Sequence, residues 1–108
     1  MKISDIMTEA HETALEKGWY DPPKTLGEAV LLVHTELSEA VEELRKDVPI
    51  DSIYFLSDKP EGFGVELADA IIRICDIAQY HSIDLEDAIR LKLEYNKTRP
   101  RRHGGKKL

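Results

Sequence analysis

Apolar residues recur at helical spacing in four stretches of the 108-residue chain, with turn-forming residues between them. The first stretch, about 5–17, carries Ile6, Met7, Ala10, Ala14 and Leu15 along one side. Ser4 is its expected N-cap and Gly18 its expected stop. Trp19-Tyr20-Asp21-Pro22-Pro23 then breaks the pattern. The second stretch, about 26–46, opens on a T-x-x-E capping box, Thr25 and Glu28. At about 100° per residue, Leu26, Val30, Val33, Leu37, Ala40, Val41 and Leu44 fill one apolar arc, the expected core face. The third stretch covers about 64–82, and the fourth, capped by Asp84, covers about 85–97 before Pro100. The pattern predicts an all-α fold built from a four-helix protomer, with one helical domain over residues 1–98 and a tail over 99–108.

The longest connection predicted to be non-helical, Asp47 to Gly64, contains Pro49, Pro60, Gly62 and an apolar patch, Ile53-Tyr54-Phe55-Leu56. A connection of this length in so small a domain either covers a site or anchors the edge of a core. The spacing alone does not separate the two.

The polar positions inside the helical stretches carry more information. Glu36, Glu39 and Glu43 lie on an arc beside the apolar one, and the same arc holds Ala29 and Leu32 one or two turns upstream. The carboxylates thus continue a stripe that begins as core-like. Between Val65 and Ala78 the only polar side chains apart from Cys75 are Glu66, Asp69, Arg73 and Asp76, which fall within roughly 80° of one another on the wheel. A helix this apolar needs cover on several sides, and the protomer is too small to supply it all. A bundle completed by a second subunit is expected.

Charge changes the picture further. The formal net charge is −6, yet residues 92–108 carry seven lysines and arginines against one glutamate, leaving −12 on the first 91 residues. An acidic body disfavours duplex nucleic acid as a partner. The basic tail is either a solubilising segment or an arm that contacts phosphates. Cys75 is the lone cysteine, so an intrachain disulfide and a thiol-rich metal site are both excluded. With no apolar run near the length of a membrane span and no signal-peptide core at Met1-Lys2-Ile3, a cytoplasmic protein with no membrane partner is expected.

The two acidic pairs, Glu36/Glu39 and Glu66/Asp69, each place carboxylates three residues apart on one helix face. Crowded like charges are costly unless a cation joins them. Oxygen-only ligands without His or Cys suit Mg²⁺, with Mn²⁺ as a substitute, and leave coordination positions for substrate phosphates. Glu36, Glu39, Glu66 and Asp69 are the candidate metal ligands, with Glu43 a helper should a second ion bind. Glu39, with Glu36, is the candidate catalytic glutamate that positions or deprotonates a water. Lys92, Asn96, Arg99 and Arg102 are candidate phosphate contacts, while His11 and Trp19 are candidate base contacts. His34 starts no H-E-x-x-H motif, because position 38 is Ser, and a zinc-protease reading fails.

Taken together, E36-L-S-E39 and E66-L-A-D69 resemble the E-x-x-E…E-x-x-D signature of the MazG-like, all-α nucleoside triphosphate pyrophosphohydrolases. Lys92, Asn96, Arg99-Pro100 and Arg102-His103-Gly104 resemble the K-x-x-x-N-x-x-R-P-x-x-H-G ending of short members. The resemblance covers most of residues 25–105. It implies a four-helix protomer of that type, assembled as a homodimer or a dimer of dimers, and Mg²⁺-dependent cleavage of a (deoxy)nucleoside triphosphate to the monophosphate and pyrophosphate. By the same resemblance Glu36, Glu39, Glu66 and Asp69 match metal ligands, and Lys92 and Asn96 match phosphate-contacting positions. A role in clearing non-standard or surplus nucleotides follows. Selectivity for dUTP or dCTP, or a nucleotide-binding oligomeric module without catalysis, are the alternatives.

Overall fold

Local capping sets where each helix begins. In the computed structural model, which describes residues 1–100, helix α1 spans Ile3–Glu16. It starts two residues before the expected position, because the Asp5 carboxylate accepts the Lys2 backbone N–H at 3.0 Å and draws Ser4 into the first turn. Its end is a Schellman turn: Gly18 adopts φ +77°, Gly18 N–H donates to the Leu15 carbonyl and Trp19 N–H to the Ala14 carbonyl. Helix α2 spans Leu26–Leu44 behind the expected reciprocal box, Glu28 N–H to Thr25 Oγ1 and Thr25 N–H to Glu28 Oε1. Helix α3 spans Phe63–Tyr80. Helix α4 spans Leu85–Lys97, and Asp84 accepts the Asp87 N–H as its cap.

The all-α expectation is modified at one place. Residues Tyr54–Leu56 (β1) and Lys59–Glu61 (β2) form an antiparallel hairpin, pairing Tyr54 with Glu61, Phe55 with Pro60 and Leu56 with Lys59. The connection between α2 and α3 is therefore partly ordered as strands. Its patch does not enter a core, since Phe55 and Leu56 are exposed.

Helix α3 is central, packed by α1 on one side and α2 on the other, while α4 lies against α1. The buried apolar residues are small: Ala14, Ala40, Ala70, Cys75 and Ala78, with Met7 the large exception. Met7, Cys75 and Ala78 form the centre, bordered by Ile3, Ile6, Ala10 and Leu85.

The expected core arc of α2 is corrected by this packing. Only Ala40 of that arc is buried, whereas Val30, Leu37, Val41 and Leu44 stay 44–54 % exposed. Helix α2 instead turns Ala29, Leu32, Glu36, Ala40 and Glu43 inward, the stripe that contains the carboxylates. On α3 likewise Glu66 and Asp76 are buried and Asp69 and Arg73 half-buried, while Leu67, Ile71 and Ile74 remain exposed. Ionisable groups face inward and branched aliphatic groups face outward.

Candidate metal centre

The inward turn of the two acidic stripes brings their side chains together. One oxygen each from Glu36 on α2 and Glu66 and Asp69 on α3 lie within 4.8 Å of one another. Among the described residues no lysine or arginine pairs with Glu66 or Asp69. The cation beside Glu36 is Arg73, whose Nε donates to its Oε1 at 2.8 Å. The charge state reflects this crowding. Burial, then the fields of Asp69, Glu36, Glu61 and Glu39, push the Glu66 carboxyl up to about 7. Asp69 is also raised, first by burial and then by Glu36, against the opposing pull of Arg73 and Lys59. Three oxygen donors with too little positive charge among them fit a hard divalent cation.

Glu39, the fourth expected ligand, is exposed and does not join this convergent group. The wheel explains why. Glu43 lies about 20° from Glu36 around the helix axis, so both face α3, whereas Glu39 lies about 60° away, at the solvent edge. Glu39 is still close enough for its charge to act on Glu66.

A second acidic group adjoins the first. Glu43, Glu61 and Glu66, all buried, also bring oxygens within 4.8 Å of one another. Glu43 matches the expected helper position, but Glu61 has no signal in the sequence beyond its place after Pro60. Strand β2 carries it against α3. The Glu43 carboxylate accepts the Tyr54 hydroxyl at 2.8 Å and Lys46 Nζ at 3.0 Å. These donors, the Tyr54 hydroxyl foremost, favour the charged carboxylate and hold its pKa below the usual range of a glutamate. Glu61 pairs with Lys59 at 3.1 Å.

The aromatic candidates gather further along the same arc of α3, around Arg73 and Asp76. His11 Nδ1 lies 2.8 Å from Asp76 Oδ1, and the Tyr20 hydroxyl donates to Asp76 Oδ2 at 2.8 Å. Tyr20 stacks on Tyr80 with ring centroids 4.4 Å apart. His11 is thus committed to a polar network that ties α1 and the 17–25 turn to α3. Burial and the Asp76 carboxylate raise the Tyr20 phenol well above its ordinary value. The Trp19 ring covers the Arg73 guanidinium at 5.4 Å, which links it to Glu36 through that arginine. Trp19 also borders an apolar groove of about 500 Å³ between α1 and α3, walled by Ile6, Ala10, Ala68, Ile71 and Ile72.

The phosphate candidates are not brought to the acids within the chain. Lys92, Asn96 and Arg99 are exposed, on or just after the helix that packs against α1. Lys92 and Arg99 instead lie over the Tyr95 ring, at 4.8 and 5.9 Å. Arg102, with the rest of the basic tail from residue 101, lies outside the described residues. No helix among the described residues is long and apolar enough to cross a membrane. Compared with known proteins, the chain matches no family model, no curated protein and no solved structure.

Proposed function

We propose that the chain is a Mg²⁺-dependent nucleoside triphosphate pyrophosphohydrolase that acts as a homo-oligomer. The observation that carries the reading is the convergence of Glu36, Glu66 and Asp69 from two facing helices with a deficit of positive charge. The reaction itself rests on the motif resemblance: hydrolysis between the α- and β-phosphates yields a nucleoside monophosphate and pyrophosphate. Mg²⁺, or Mn²⁺ in its place, supplies charge neutralisation of phosphate oxygens and a more acidic water. Glu36, Glu66 and Asp69 hold the ion. Glu39, at the solvent edge of the acidic stripe, orients the attacking water and accepts its proton. Arg73 orients Glu36 through one carboxylate oxygen.

Trp19 and the adjoining apolar groove suit the face of a base. Lys92, Asn96, Arg99 and Arg102 take the outer phosphates. Oligomerisation is supported by the exposed apolar stripes of Val30, Leu37, Val41 and Leu44 on α2 and Leu67, Ile71 and Ile74 on α3. A homodimer or a dimer of dimers would cover them. The function in the cell is removal of unwanted nucleotides.

The test is pyrophosphate release from a panel of ribo- and deoxyribonucleoside triphosphates with Mg²⁺. Turnover is expected to stop in EDTA and to fall about 100-fold or more in Glu39→Gln and Asp69→Asn. Dominance of one pyrimidine would narrow the enzyme to dUTP or dCTP. A folded protein that turns over no nucleotide overturns the reading, and calorimetric binding without release would leave a nucleotide-binding module.

A further inference from the structure

The proposed substrate carries about four negative charges, and the site that receives it is walled by carboxylates. Among the described residues three cations border that wall, and they differ in how firmly they are held. Arg73 is half-buried in its pair with Glu36, beneath the Trp19 ring. Lys46 is held twice, by Glu43 and by the Tyr54 hydroxyl, on the outer side of the second acidic group. Lys59 pairs with Glu61 at 3.1 Å, and its side chain is 76 % exposed. An exposed pair of this kind is worth little, so the ammonium exchanges partners at low cost.

The hairpin determines where that ammonium stands. Tyr54, paired with Glu61 across the strands, anchors β1 to α2 through Glu43. Gly62 presses the same open end against the backbone of Ser52. Lys59, next to the turn, stands beside Glu61, which brings an oxygen within 4.8 Å of oxygens of Glu43 and Glu66. The Glu61 pairing, with the fields of Glu66 and Asp69 behind it, raises the ammonium above its ordinary value. Lys92, Asn96 and Arg99 have no such link to the acids within the protomer.

We propose that Lys59 is a substrate-contacting residue, which leaves Glu61 to bind the outer phosphates of the metal-bound nucleotide, and that the β1–β2 hairpin exists to deliver it. The inference rests on the pyrophosphohydrolase reading and adds a phosphate contact from an element outside the acidic signature. Lys59 supplies one point charge and up to three N–H donors to phosphate oxygens. Its departure frees the Glu61 carboxylate beside Glu43 and Glu66.

The experiment uses inorganic tripolyphosphate, a phosphate chain without a base, titrated calorimetrically into the full-length protein with Mg²⁺. Lys59→Met is expected to weaken tripolyphosphate binding at least tenfold, and Lys59→Arg to keep it within about threefold. Affinity for Mn²⁺ alone is expected to hold or tighten in Lys59→Met, because a positive charge leaves the vicinity of the acids. A mere loosening of the hairpin would weaken both ligands together, and that result overturns the proposal. Tripolyphosphate binding within twofold of the unmodified protein in Lys59→Met also overturns it, even where the nucleotide panel shows turnover. An unmodified protein that neither binds tripolyphosphate nor turns over a nucleotide overturns the enzyme reading and this inference with it.

Discussion

Arg73 reaches from α3 to α2 and donates through Nε to Glu36 Oε1 over 2.8 Å, an ion pair that crosses between the two acidic helices. Both side chains are largely buried, at 26 % and 15 % exposure. The pair therefore differs from the exposed i,i+3 pairs elsewhere, such as Arg45 with Glu42. Arg73→Met leaves Glu36 beside two further carboxylates without a counter-ion. In metal-free buffer this should destabilise the fold by roughly 1–3 kcal/mol in urea denaturation. Glu36→Gln combined with Arg73→Met should cost less than the two single changes together. Additive costs would show that the pair contributes no coupling.

Stability should fall as pH rises through the acidic cluster. Glu66 titrates near 7 in the folded protein against 4.5 ordinarily, and Asp69 is shifted in the same direction. Between those two values the folded chain keeps a proton that the unfolded chain has released, so the native state loses ground as pH increases. The loss, complete above about pH 7, should be about 1–2 kcal/mol after solvent screening. The melting temperature in EDTA should drop from pH 5 to pH 8, and Glu66→Gln should flatten that drop. Saturating Mg²⁺ should raise the pH 8 value in the unmodified protein more than in Glu66→Gln. An unchanged drop in the variant would remove Glu66 as its source.

Asp76 accepts from two donors that come from different parts of the chain, His11 and Tyr20. Asp76→Ala should cost about 2–3 kcal/mol, because two part-buried donors lose a charged acceptor together. Tyr20→Phe removes one donor and should cost about 1 kcal/mol. Urea denaturation followed by Trp19 fluorescence measures both, since Trp19 adjoins the network. Equal costs for the two variants would mean that His11 adds nothing.

The two glycines around the start of α3 should respond in opposite directions. Gly62 has φ +137°, and a Cβ there would stand 2.5 Å from the Ser52 carbonyl oxygen. Gly62→Ala should destabilise by more than about 1 kcal/mol from the backbone conformation alone. Gly64 lies inside α3, and a Cβ there meets nothing within 4 Å. Gly64→Ala should be stabilising by up to about 1 kcal/mol through helix propensity. Guanidinium midpoints of the two variants give the comparison directly.

Features set by neighbouring residues are legible in the amino-acid sequence. The Thr25/Glu28 box, the Asp84 cap and the Gly18 stop depend on atoms three to five positions apart, and all three occur. The acidic pairs are legible for the same reason, because i,i+3 spacing puts them on one face. What the sequence hides depends on distant partners. The wheel of α2 offers two arcs, and hydropathy alone selects the more apolar one. The chain buries the arc with Ala29, Ala40 and Glu36, whose small residues let α3 approach. The hairpin is hidden because its turn is Ser57-Asp58, with Ser57 at φ +57°, and not the Asn-Gly or Gly-x dipeptide that marks such turns. Glu61 is hidden with it. Glu39 groups with the ligands on spacing alone, which cannot tell an edge position from an inward one.

The buried alanines between the helices make tolerance to substitution lopsided. Proteins are most often damaged at the core by truncation, which leaves a cavity where a leucine or phenylalanine stood. Here Ala14, Ala40, Ala70 and Ala78 have no side chain beyond Cβ to lose, and the largest fully buried side chain among the described residues is a cysteine. The vulnerability runs toward growth, since one added methyl must push two helices apart. At these four positions valine should be worse than serine, and random mutagenesis should find Ala70 and Ala78 of α3 intolerant of any residue with branching at Cβ.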